Sequence, residues 1–234
     1  MQAIILAGGK GRRLLPYTTV LPKPLMPIGD YPILEVILRQ LKTCGFKKVT
    51  LCTGYLSELI RAYLDSTHAF GLDIRYTYEE NPLGTIGPLH LIEDLDDTFL
   101  VMNGDILTDL NYRTLIRAHE QHGALATIAT YQRDVNIDFG VLEKDPDNKI
   151  VAFREKPTYH FEVSMGIYVF SKKILDYVPA NIPFGFDKLM DILTERNEAV
   201  YSFPYTGYWL DIGRPDDFTR AIEEFERNKD RFLP

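Results

Sequence analysis

A chain of 234 residues with a 45% hydrophobic fraction can bury one substantial core. Its net charge of −7 argues against a cationic nucleic-acid surface, so any anion must be held by a few placed cations. Two cysteines, Cys44 and Cys52, exclude a disulfide framework and a four-ligand zinc site, and no stretch reaches the roughly 18 apolar residues of a membrane span. Both thiols are expected to be buried and reduced. The first residues lack a basic segment followed by an apolar one, so a cytoplasmic place is expected. An aromatic fraction of 12% leaves room for an interface between copies of the chain, although no long exposed apolar stripe stands out.

The elements alternate through the first half. QAIILA at 2–7 is an apolar run ended by Gly-Gly and reads as a buried strand. YPILEVILRQLKT at 31–43 carries Ile33, Leu34, Ile37, Leu38 and Leu41 at helical spacing, with Pro32 suited to the first turn and Gly45 just past the end. KKVTLCTG is the next strand, YLSELIRAYLDS an amphipathic helix and LDIRYTYE a third strand. GTIGPLHLIEDL is predicted to begin at its glycines and continue as a helix. DTFLVMNGD is a fourth strand, and NYRTLIRAHEQHG a helix ending at Gly123. This rhythm predicts an α/β fold, a mainly parallel sheet with helices on both faces.

After residue 124 the rhythm changes. ALATIATYQ, FGVLEKD, KIVAFREKP and EVSMGIYVFS read as strands with few helices between them, and DPDN at 145–148 is a turn. FDKLMDILTER and PDDFTRAIEEFERNK are late helices flanking AVYSFPY and YWLDIG. No repeat or linker interrupts the chain. A single domain over 1–234 is expected, with its second half covering one end of the sheet.

The loop after the first strand, GGKGRRL at 8–14, asks for phosphate. It is not a dinucleotide loop, because Leu14 stands where the third glycine belongs and Pro16, Pro22, Pro24 and Pro27 forbid an immediate helix. It is not a P-loop either, because Arg-Arg follows Gly11 instead of Lys-Ser or Lys-Thr. Gly8, Gly9 and Gly11 let backbone N–H groups approach an anion, and Arg13 and Lys23 supply charge without a helix dipole. Asp105, in NGD at the carboxyl end of the fourth strand, suits a hard divalent cation such as Mg²⁺. Asp211, in YWLDIG, is its candidate partner, although each aspartate alone reads equally as a helix cap. Glu155 and Lys156, in FREKP, read by themselves as a cross-strand surface pair. The five histidines need no role, and His119 and His122, near a helix end, are expected to be solvated.

The ordered set AGGKGRRLLPYT, LPKPLMP, PLGTIGPL, NGD, FGVLE, EKP, GIYVF and YWLDIG resembles the sugar-1-phosphate nucleotidylyltransferase family, the nucleoside-diphosphate-sugar pyrophosphorylases, over residues 3–213. The resemblance implies a Rossmann-like nucleotidyltransferase fold. It implies that a nucleoside triphosphate and a sugar 1-phosphate give a nucleoside-diphosphate sugar and pyrophosphate. It also divides the chain into a nucleotide-binding half, 1–123, and a sugar-phosphate-binding half, 124–234. Arg13 and Lys23 would hold the triphosphate and neutralise the leaving pyrophosphate. Asp105 and Asp211 would hold Mg²⁺ against the α-phosphate. Leu6, Ala7, Gly8, Gly9, Gly11, Glu80, Gly84 and Thr85 would take the nucleotide, and Asn103, Gly140, Glu155, Lys156 and Ser164 the sugar phosphate. Two positions depart from the pattern: the family usually has Thr where this chain has Arg12, and Asn or Thr-like residues where it has Ser164-Met165. The nucleophile is a phosphate oxygen already ionised at neutral pH, so no general base is required.

A carboxylate at Glu79 or Glu80 could accept from guanine N1–H and its 2-amino group, or equally from uracil N3–H. GTIGPL and LDIG look closest to the mannose-1-phosphate and heptose-1-phosphate guanylyltransferases, which leans the reading to GTP. The short length also resembles N-acetylmuramate-1-phosphate uridylyltransferases. With the chain ending at residue 234, a carboxyl-terminal β-helix and the acyltransferase activity that goes with it are not expected. A non-catalytic nucleotide-sugar-binding module and a glycosyltransferase are the rival classes. The first would lack the cations or the aspartates, and the second would have no use for a pyrophosphate-holding loop.

Overall fold

The first apolar run becomes the middle of the molecule. The computed structural model describes residues 1–233. β1 (Gln2–Ala7) leads into three short 3₁₀ turns, at 12–14, 17–19 and 23–25, so the prolines do replace a helix with turns. The two-residue strands β2 (Pro27–Ile28) and β3 (Tyr31–Pro32) then pair with each other. α1 (Ile33–Thr43), β4 (Lys48–Thr53), α2 (Ser57–Ser66) and β5 (Asp73–Tyr78) follow as the periodicity predicts. Next come β6 (Thr98–Asn103), β7 (Ile106–Thr108) and α3 (Tyr112–His122). The second half runs β8 (Ala126–Asn136), β9 (Val141–Lys144), β10 (Ile150–Arg154) and β11 (Thr158–Ser171). It ends with α4 (Phe186–Glu195), β12 (Val200–Tyr205), β13 (Trp209–Asp211), α5 (Pro215–Arg227) and α6 (Lys229–Phe232).

The main sheet has the order β12-β8-β11-β6-β1-β4-β5. Every neighbouring pair is parallel except the two made by β11, so β11 alone is reversed. Alternate residues of the central strands feed two cores. Ala3, Ile5 and Ala7 face one core with Leu34, Leu38, Leu41 and Leu64, while Ile4 faces the other with Cys52, Phe99, Val101, Phe170 and Leu189. Burial on both faces is why these strands read as continuous apolar runs rather than alternating ones. Each fully buried Leu or Ile in these layers contributes about 1.5–3 kcal/mol.

Four expectations change. Residues 84–95 form no α-helix, only a 3₁₀ turn over Gly87–Leu91. Pro88 removes a donor at its start, and the N–H groups of Ile86 and Gly87 both go to Phe184 O, at 3.0 and 3.1 Å, instead of building a helix. The second half does not cap the sheet end alone, because β8, β11 and β12 extend the sheet itself. His119 is buried, not solvated, with Nδ1 3.0 Å from Thr127 Oγ1, whereas His122 is exposed. Burial holds the His119 imidazole below its usual pKa. Cys52 is fully buried and its thiol is pushed up to about 12 by that burial, but Cys44 is only half-buried.

Beyond the sheet, the far ends of β8 and β11 and the hairpin of β9 and β10 form an arm. It carries exposed apolar side chains at Phe139, Leu142, Val151, Phe153 and Phe161, an apolar surface that no sequence stripe announced. Among the described residues, no helix is long and apolar enough to cross a membrane.

Candidate active site

The strand order β5-β4-β1-β6 reverses direction of growth at β1, which makes a crevice outside the carboxyl ends of β1 and β6. A cleft of about 890 Å³ lies there. One wall is the glycine loop after β1. Gly11 adopts φ +59°, and a Cβ on it would stand 2.8 Å from Thr18 Cγ2, so a side chain there would be strained on both counts. Thr18 Oγ1 and Leu14 N both donate to Gly11 O at 2.9 Å, which fixes the loop and presents Lys10, Arg12 and Arg13 at the cleft.

The opposite wall is the end of β6. Lys23 reaches across from its 3₁₀ turn and forms an ion pair with Asp105 Oδ2. Asp105 Oδ1 is buried with no hydrogen-bond partner, an orphan acceptor. Asp211 is brought alongside by backbone pairing: it stands opposite Ile106 where β13 meets β7, and Ile212 N donates to Asp105 O at 3.0 Å. Burial first, and then the Asp105 charge, raise the Asp211 carboxyl above its usual pKa, against the pull of Lys23 and Arg13. A Cβ on Gly213 would lie 3.1 Å from Asp211 Oδ2 and 3.4 Å from Arg13 Nη1, so that guanidinium and that carboxylate are neighbours.

The donor set fits a hard divalent cation. Among the described residues no group of three or more His, Cys, Asp or Glu could hold a metal. Two carboxylates are nevertheless the usual protein share for an ion that completes its shell with phosphate oxygens and water. The orphan Oδ1 is the acceptor such an ion would satisfy.

The third wall is the segment after β5. Both Glu79 and Glu80 line the cleft, but Glu79 is the half-buried one. Its Oε2 accepts from Leu83 N at 2.8 Å, and its Oε1 would be 2.7 Å from a Cβ on Gly8. Burial raises the Glu79 carboxyl, partly offset by the Leu83 N–H. Gly84 and Thr85 complete this wall, with Thr85 Oγ1 accepting from Phe186 N at 2.8 Å.

Leu6, Ala7, Gly8, Gly9, Gly11, Arg13, Lys23, Glu80, Gly84, Thr85, Asn103 and Asp105 therefore all line one cleft. Gly140, Glu155, Lys156 and Ser164 do not, and Asp211, beside Asp105, is not in that lining either. Gly140, Glu155 and Lys156 sit on the exposed arm, where a Cβ on Gly140 would lie 3.4 Å from Glu155 Oε2. Ser164 stands at the bulge of β11, where its Oγ accepts from Gly166 N at 3.2 Å. Sequence reasoning passed over Lys10, Arg12, Tyr55 and Tyr78 as lining residues and named Glu80, which lines the cleft together with Glu79. The first two were visible inside the glycine loop itself.

Residues 2–228 match the family model described as nucleotidyl transferase, and the chain belongs to that family. It is 34% identical over 242 residues to a UTP–glucose-1-phosphate uridylyltransferase of Synechocystis sp., covering 95% of this chain and 62% of the relative. It is 34% identical over 228 residues to a mannose-1-phosphate guanyltransferase of Candida albicans, covering 93% of this chain and 62% of the relative. The chain thus spans about 62% of the length of these two relatives. Among solved structures, HddC from Yersinia pseudotuberculosis, complexed with GMP-PN, superposes with a TM-score of 0.74 at 27% identity, covering 96% of this chain and 99% of that one.

Proposed function

We propose that the protein is a sugar-1-phosphate nucleotidylyltransferase that prefers GTP. The reading rests above all on one juxtaposition. A glycine loop carrying cations faces Asp105, beside which the fold brings Asp211 over a long stretch of chain, at the switch point of the sheet. An oxygen of the sugar 1-phosphate attacks the α-phosphorus in line. A new P–O bond forms there, the bond to the bridging oxygen breaks, and pyrophosphate leaves with that electron pair. The attacking oxygen carries no proton at neutral pH, so none has to be removed, and the cleft's histidine-free lining agrees with that.

Asp105 and Asp211 would hold Mg²⁺, which supplies charge neutralisation at the α-phosphate. Lys23 stays against Asp105 and orients that carboxylate. Glu79, braced by Leu83 N and turned to the loop, accepts from the base. Lys156 and Glu155 on the arm take the sugar phosphate and sugar hydroxyls, so the two halves of the chain divide the substrates. A cytoplasmic setting goes with a nucleoside triphosphate as substrate.

The guanine preference is supported by the mannose-1-phosphate guanyltransferase relative and by GMP-PN, a guanine nucleotide, in the HddC structure. A uridylyltransferase is the second reading, favoured by the Synechocystis relative and by the ability of one carboxylate to accept from uracil N3–H. Pyrophosphate release, with GTP, UTP, CTP, ATP and dTTP crossed against mannose, glucose, N-acetylglucosamine, N-acetylmuramate and heptose 1-phosphates, separates them. One metal-dependent pair containing GTP is expected. A UTP pair would overturn the base, and silence across the panel from folded protein would overturn the reaction.

A further inference from the structure

Beyond Tyr131 the arm is a long two-stranded ribbon. β12 pairs with β8 only as far as Tyr131, and β6 pairs with β11 only from Ile167 on, so residues 132–136 and 158–162 have no strand neighbour but each other. β9 and β10 continue the same hairpin to its turn at 145–149. The register sorts the side chains of the ribbon. One face carries Gln132, Asp134 and Asn136 beside Thr158, His160 and Glu162. These groups meet across the strands, with Thr158 Oγ1 donating to Asn136 Oδ1 at 2.8 Å and His160 Nδ1 2.6 Å from Asp134 Oδ1. The other face carries Tyr131, Val135, Tyr159, Phe161 and Val163, with Arg133 opposite Phe161. At its root this face is covered, since Tyr131 lies against Trp209 with ring centroids 5.4 Å apart. Further out it lies open: Val135 is 41% exposed and Phe161 53%, and neither belongs to either core. In the hairpin beyond, Leu142 stands opposite Phe153 and both are exposed.

An antiparallel sheet with one solvated face packs the other, and a two-stranded ribbon is marginal in water by itself. The bare face calls for a cover that is always at hand, and a second copy of the chain is one. The area agrees. A whole aromatic side chain buries about 150–250 Å², so the exposed Val135, Phe139, Leu142, Val151, Phe153 and Phe161 together offer on the order of 600 Å² of apolar surface. Each side of a standard dimer interface takes about 800 Å², rim included. The charges agree as well. Among the described residues Arg133 has no ion pair, and neither do Asp138 and Glu155 on the same arm, whose guanidinium–carboxylate pair is Arg154 with Glu143. A two-fold axis presents the free cation of one copy to the free acids of the other, with no net like charge between arms. We infer that the protein is a two-fold dimer whose arms lie apolar face against apolar face, with Phe161 and Phe153 at the centre of the contact.

Sedimentation equilibrium of the full chain tests the dimer without any substrate, so its outcome is independent of the transfer reading. Twice the chain mass is expected at about 50 μM, where a micromolar dissociation constant leaves little monomer. Phe161→Glu should weaken association about a hundredfold, because each substitution enters a two-fold interface twice and sets an unpaired charge at its centre. Phe153→Glu should act in the same direction. Both side chains are exposed in the single chain, so the far-UV spectrum of each variant should match wild type. Gln132→Lys lies on the polar face of the same ribbon and should leave the dimer intact, whereas a mere disturbance of the ribbon would affect all three variants alike. A wild-type chain that sediments as a monomer at that concentration overturns the dimer. Wild-type association in both phenylalanine variants, or an equal loss in Gln132→Lys, overturns the apolar face as its contact.

Discussion

The cleft and the arm are built on opposite terms. The cleft is walled by the ends of buried strands, and its loops are tied down by short backbone bonds, such as Ile212 N to Asp105 O and Leu14 N to Gly11 O. The arm stands beyond the core, with Phe139 78% exposed and Phe153 60% exposed, and its polar contacts, the Arg154–Glu143 ion pair and the His160–Asp134 hydrogen bond, lie on the surface. Under the proposed function, residues that hold reacting atoms would be anchored in the sheet, and residues that meet the sugar would be hung on strands that cost little to vary.

The comparison breaks most visibly at the cleft. Asp105→Asn or Asp211→Asn should lower turnover about 10²-fold or more and blunt the response to added Mg²⁺, with an unchanged far-UV spectrum. If either variant keeps the parent magnesium response, the acid wall is misassigned. On the arm the loss should be smaller and of a different kind. Lys156→Ala should raise KM for the sugar 1-phosphate about tenfold and leave KM for the triphosphate within about twofold. An effect on the triphosphate instead would mean that the arm does not serve the second substrate alone.

The smallest effect concerns what braces the acid wall. Burial alone would raise the Asp109 carboxyl, but Tyr205, Arg231 and Tyr208 N all donate to it and hold it below the usual carboxylate range. A carboxyl with a depressed folded-state pKa stabilises above its unfolded value of about 4, and that contribution is lost as pH falls through the folded value. Asp109→Asn should therefore cost about 1–2 kcal/mol by urea unfolding at pH 7, and the gap to wild type should close toward pH 3. A constant gap across that range would deny the carboxylate its charge-dependent role.

Much of this was legible. The run QAIILA, the helical spacing of 31–43 and the strand before NGD each carry a period or a burial signal that tertiary context did not override. The cations of the loop and the two aspartates were legible because glycines and strand ends announce them. Other features depend on contacts that spacing does not encode. The failed helix at 84–95 was decided by Phe184, about a hundred residues away. That Glu79 is half-buried and Glu80 exposed depends on how the chain turns after β5 to bring Leu83 N to Glu79. His119 was legible in principle, since it continues the buried stripe of Tyr112, Leu115 and Ile116 on α3.

The pairing of β13 with β7 has a kinetic side. It joins Trp209–Asp211 to Ile106–Thr108, so the partner of Asp105 is made more than a hundred residues after it. Closing so long a loop is entropically slow compared with forming the local β-α units of the first half. The glycine loop and Asp105 can therefore stand in place before Asp211 arrives. On that order, the meeting of Asp211 with Asp105 is expected to be completed late in folding.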